Sequence, residues 1–119
     1  ERYPENDDLL NNLAYFKFIA NEEIDQYIET MRSLVSDQPE NLSYSVTLAL
    51  GLLQSGRDRE ANRVLEASSF DWNTAKPRQK MVYAAVLMAN GERVVAQGLK
   101  QNLEREQLIP EENALLDSI

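Results

Sequence analysis

The apolar positions of this chain fall into blocks with helical spacing. Ile24, Tyr27, Ile28, Met31, Leu34 and Val35 recur at i, i+3, i+4 and i+7, and predict an amphipathic helix over 22–37. Pro39 closes it, because proline has no N–H to continue the ladder. Upstream, Leu9, Leu10, Leu13, Ala14, Phe16 and Phe18 predict a helix over 7–20, with Asp7 or Asp8 as its cap. Two later stretches, Val46 to Leu53 and Met81 to Met88, are apolar on nearly every side, so each must be buried over most of its circumference. Each is followed by a one-faced helix. Ala61, Val64 and Leu65 mark the first, over 57–69, and Val95, Ala96, Leu99 and Leu103 mark the second. Residues 70–76 read as a longer connection, with Phe70 and Trp72 folded back on the core. Pro77 and Pro110 each suit a first helical position, so a last short helix carrying Leu115, Leu116 and Ile119 begins at Pro110.

The turns between paired helices repeat. Asn21, Gly56 and Gly91 are 35 residues apart, and so are Ala14, Ala49 and Ala84. Asn and Gly are the residues that most readily adopt the left-handed backbone that ends a helix tightly, so the period has a physical basis. Gly98 inside the last paired helix either weakens it or admits a close neighbour.

Composition narrows the chemistry. The 119 residues contain neither Cys nor His, which removes disulfides, thiolate nucleophiles, the usual zinc sites and imidazole bases. The net charge of −8 repels phosphate, so no nucleic-acid partner is expected. No apolar run is long enough to insert in a membrane. The chain opens Glu1-Arg2-Tyr3-Pro4 and is expected to be part of a longer protein. The acidic clusters Glu22, Glu23, Asp25 and Glu111, Glu112 fall in first turns of helices, where the helix dipole favours carboxylates. They lack the spacing of a calcium loop, and no phosphate loop or nucleophile elbow is present. No enzyme activity, cofactor or metal is expected.

These residues resemble the tetratricopeptide repeat, a unit of two antiparallel helices with small residues at the crossing. The resemblance rests on Leu48-Ala49, Gly56, Ala61 and Leu65, and on Ala84, Leu87, Gly91 and Ala96, and more loosely on Leu13-Ala14 and Asn21. The period is one residue longer than that family's, and the aromatic residue near the start of the first helix is replaced by Leu10, Ser45 and Lys80. The pentatricopeptide repeat shares the 35-residue unit but binds RNA, which the charge disfavours. The resemblance implies an all-α fold: tandem antiparallel helix-turn-helix repeats over about 7–39, 40–73 and 77–108 in a right-handed solenoid, with a capping helix at 110–119, in one domain spanning 1–119.

It also implies a concave face built by the first helix of each repeat. Its groove would be lined by Tyr15 and Phe18, by Val46, Leu50 and Leu53, and by Met81 and Met88, with Asn11 and Ala85 beside them. The expected function is a protein–protein interaction module that offers this apolar groove to a partner peptide or helix. Asn11 alone does not make a clamp for a terminal carboxylate. The alternative is a structural or self-associating segment of a larger protein with no independent ligand, its groove filled by flanking regions, by the chain's own last helix or by another copy in a homodimer.

Overall fold

The computed structural model describes residues 4–67 and 71–119, and among them the chain forms seven α-helices and two 3-10 turns. The helices are α1 (Pro4–Ile19), α2 (Ile24–Asp37), α3 (Leu42–Gln54), α4 (Asp58–Glu66), α5 (Pro77–Ala89), α6 (Arg93–Gln101) and α7 (Pro110–Asp117). The short turns are Trp72–Thr74 and Arg105–Gln107. Helix α1 begins three residues earlier than the apolar pattern predicts, because Pro4 is itself a good first helical residue. Asp7 and Asp8 are therefore inside the helix and do not cap it; Asp8 instead accepts a hydrogen bond from the Tyr44 hydroxyl of α3 at 2.7 Å.

Three hairpins, α1–α2, α3–α4 and α5–α6, are closed by the same device. The backbone is left-handed at Asn21 (φ 61°), Gly56 (φ 82°) and Gly91 (φ 85°). At each turn the next N–H reaches back five residues: Glu22 to the Lys17 carbonyl, Arg57 to Leu52 and Glu92 to Leu87, all at 2.8–2.9 Å. The paired bonds of Asn21, Gly56 and Gly91 to Phe18, Leu53 and Met88 complete the Schellman pattern. A Cβ at Gly56 or Gly91 would meet nothing within 4 Å, so backbone angle, not space, requires glycine there.

Helix α3 is the hub. It packs against α1, α2, α4 and α5, which accounts for a sequence apolar on all sides. The closest approach is one the sequence reading passed over: a Cβ built on Gly51 of α3 would lie 2.5 Å from the Phe18 ring of α1. Ala49 and Ala84 are fully buried, but the contact that demands no side chain is at Gly51. Gly98 has open space around it and serves no close contact. Trp72 is partly buried and stacks on Tyr83 at 4.2 Å between ring centroids. Phe70 and the end of the helix expected over 57–69 lie outside the described residues, and α4 ends at Glu66.

The expected open solenoid is not what the chain forms. In a solenoid each unit touches only its neighbours. Here α7 folds back across the molecule and packs on both α5 and α1, so the last helix meets the first. The radius of gyration is 13.3 Å, close to the ~13.5 Å that a compact globule of this length should have. The physical reason lies in α3 and α5. With so few hairpins, an open stack would leave a wide apolar face in water. Leu108 and Leu116 of the C-terminal segment are buried instead, and the result is a closed, all-α seven-helix bundle.

Candidate functional site

The face expected to be a groove is assembled but closed. Asn11, Tyr15 and Phe18 follow one another along one side of α1, at the spacing of successive helical turns. Val46 and Leu50 of α3 and Met81 and Ala85 of α5 complete the face, and all seven of these residues are buried. Leu53 and Met88 are half-buried. Helix α7 spans α1 and α5, with Leu116 fully buried. The expectation of an apolar groove open to a partner peptide is thereby overturned: a closed, self-contained bundle has taken its place.

The junction between α7 and that face is polar. Glu112, in the first turn of α7, has a side chain only 1% exposed. One carboxylate oxygen, Oε1, accepts the Ile109 backbone N–H at 2.9 Å and so caps its own helix. The other, Oε2, accepts the Tyr15 hydroxyl of α1 and the Arg78 Nε–H of α5, the latter at 2.5 Å. The Arg78 guanidinium also lies over the Tyr15 ring, 4.4 Å from its centroid, and over Phe16 at 5.6 Å. Three helices therefore meet on one carboxylate.

Burial raises the ionisation of the Tyr15 phenol well above its ordinary range, and the hydrogen bond to Glu112 and that carboxylate's charge push it further the same way. A group whose folded pKa is raised contributes its full stability below the unfolded value and loses it as pH climbs through the folded value. Domain stability is therefore expected to fall above about pH 10, where an unfolded tyrosine ionises. Urea melts of the native chain and of Tyr15→Phe check this. The two stability curves should converge as pH rises; curves that stay parallel up to strongly alkaline pH would show that Tyr15 is not the titrating group.

The residues of this clasp were only partly visible in the sequence. Glu112 reads there only as an acid in the first turn of a helix, favoured by the dipole; it does lie in the first turn of α7, but it is buried, paired and hydrogen-bonded to the Ile109 backbone. Arg78 was overlooked. Its signal is a violation of helix electrostatics: Lys76, Arg78 and Lys80 cluster at the start of α5, where the dipole favours acids, and the chain has no acid from 76 to 91. Such a cluster calls for negative charge from elsewhere, and Glu112 supplies it. Asn11, the lone clamp candidate, is buried and donates to the Ser43 hydroxyl at 3.3 Å rather than to this carboxylate. The other flagged acids, Glu22, Glu23, Asp25 and Glu111, are exposed, and Glu23 pairs with Lys17 at 2.8 Å.

Among the described residues, no group of three or more acidic side chains is placed to hold a metal ion. No helix among them is long and apolar enough to cross a membrane. The outer face of α1 carries exposed apolar side chains, with Leu9 64% and Phe16 47% accessible. Leu13 belongs to this face, whereas Leu48, 35 residues on, is buried in the hub helix.

No family model matches this chain, and no curated protein or solved structure matches it either. The resemblance to the tetratricopeptide repeat is corrected accordingly: the turn spacing is present, but no family match supports membership and the bundle closes on itself.

Proposed function

We propose that this chain is a self-contained structural module, a folded unit that contributes shape and assembly rather than a receptor groove. The observation that carries this reading is the packing of α7 against both α1 and α5, held by the buried Glu112 carboxylate between Tyr15 and Arg78. A face filled by the chain's own helix has no apolar surface left to reward a ligand. The reading includes no chemistry of its own: the fully buried Glu112 carboxylate is engaged by a cation, a hydroxyl and a backbone N–H. It includes no nucleic-acid partner, given the net charge of −8. Association, where it occurs, would be with protein surfaces, a second copy included.

The chain lacks cysteine, so a single thiol reports on one position. Ala85 lies on the closed face and is buried. In an Ala85→Cys variant the thiol is expected to react with a maleimide only as fast as the domain opens, far more slowly than in the denatured chain. Labelling at the rate of a free thiol under native conditions would show an open face and would overturn the structural reading.

A further inference from the structure

Asn90 ends helix α5 and ties it to the hairpin before it. Its side-chain amide donates from Nδ2 to the Asp58 carbonyl, at the start of α4, at 2.9 Å, and to the Val86 carbonyl of α5 at 2.8 Å. Carbonyl oxygens only accept, so the group between these two has to be a donor. The next residue is Gly91, and no other Asn of the chain is followed by Gly. With no side chain on the following residue, its backbone nitrogen approaches the Asn side-chain carbonyl most easily, so Asn-Gly is the dipeptide most prone to deamidation. In the folded chain this approach is blocked. The Gly91 N–H donates to the Met88 carbonyl at 3.1 Å, the Gly91 φ is 85°, and the Asn90 amide is held at Asp58 and Val86.

We propose that Asn90 is a self-modification site, which deamidates when the turn between α5 and α6 opens and whose product closes less stably than the original. First the Gly91 nitrogen gives up its proton and bonds to Asn90 Cγ, the Cγ–Nδ2 bond breaks, and ammonia leaves. Water then adds to one of the two carbonyls of the resulting five-membered imide, and the bond from that carbon to the Gly91 nitrogen breaks. The product is aspartate or its β-linked isomer; water is the co-reactant and nothing is oxidised or reduced. Either product places a carboxylate, which has no proton to give at neutral pH, against two carbonyl oxygens. The β-linked isomer also lengthens the main chain by one carbon inside the left-handed turn, whose bonds require regular spacing. Deamidation runs one way, so the turn keeps a record of its own opening.

The full chain is incubated at neutral pH and body temperature, once in buffer and once in denaturing guanidinium chloride. Intact mass follows the replacement of NH2 by OH, and peptide mapping assigns it to a residue. The native chain is expected to modify Asn90 at least about tenfold more slowly than the denatured chain. The modified fraction, separated by its added negative charge, is expected to melt about 5 °C or more below the unmodified one. Asn90→Asp makes the normally linked product directly and should melt lower in the same way. Equal rates in the two states would show that the fold does not guard the site, and would overturn the proposal. So would a mass gain centred on another Asn in the native chain, or a modified fraction or Asn90→Asp chain that melts with the original.

Discussion

Arg78→Met is expected to cost the domain about 3 kcal/mol, more than its position in the first turn of a helix would suggest. Removing one partner of a buried ion pair typically costs about 3–5 kcal/mol, because the other charge stays behind without compensation. Here the stranded group is the Glu112 carboxylate, with a side chain 1% exposed. Arg78 itself is 41% exposed, which places the effect at the low end of that range. For a chain of this length, about 3 kcal/mol lowers the midpoint of thermal unfolding by roughly 10 °C. The mechanism predicts an asymmetry. The triple variant Arg78→Met, Glu112→Leu and Tyr15→Phe replaces the whole cluster by apolar groups of similar shape, and should recover to within about 2 kcal/mol of the native chain. Thermal melts of the single and triple variants decide the matter. If Arg78→Met melts with the native protein, or if the triple variant is the less stable of the two, the carboxylate is not held as described.

The second large effect belongs to the pair Phe18 and Gly51. Phe18 is fully buried, so Phe18→Ala should cost about 3–5 kcal/mol through lost burial and the cavity left behind. Gly51→Ala should cost about 1–3 kcal/mol for the opposite reason, since its new methyl would be driven into the ring. Because the two side chains compete for one space, the effects should not add. The double variant is expected to be more stable than the sum of the singles by about 1 kcal/mol or more, as the methyl takes up part of the cavity. Simple additivity in a denaturant-melt cycle would count against the close approach of α1 and α3.

These two clusters also show what could and could not be read from the chain. The three turns were legible because Asn21, Gly56 and Gly91 are chosen for backbone angle, a local property that a residue type reveals. The burial of α3 was legible because apolar side chains on all sides leave a helix no exposed face. Gly51 was not, because a glycine inside a helix looks like a weakness until the Phe18 ring above it is known. The closure was foreseen only as an alternative. Tyr15 and Glu112 are 97 residues apart, and nothing local to either one specifies the other. Family resemblance pulled the reading further towards an open groove. The periodic small residues fix how neighbouring hairpins pack, but they are silent about a last helix that folds back onto α5 and α1.

The same 97-residue separation has a consequence for how the protein is made. Ribosomes add about 5–20 residues per second, so the Tyr15 hydroxyl waits roughly 5–20 s for its carboxylate. The hairpins of the nascent chain can close in that interval, each from contacts within a few dozen residues. Their shared apolar face remains wet until Glu112 and Leu116 have left the exit tunnel. A growing chain at this stage presents the surface that the finished one conceals. Polysomes carrying several such chains would bring those surfaces together at high local concentration, and a pause in translation before residue 110 would prolong that vulnerable interval.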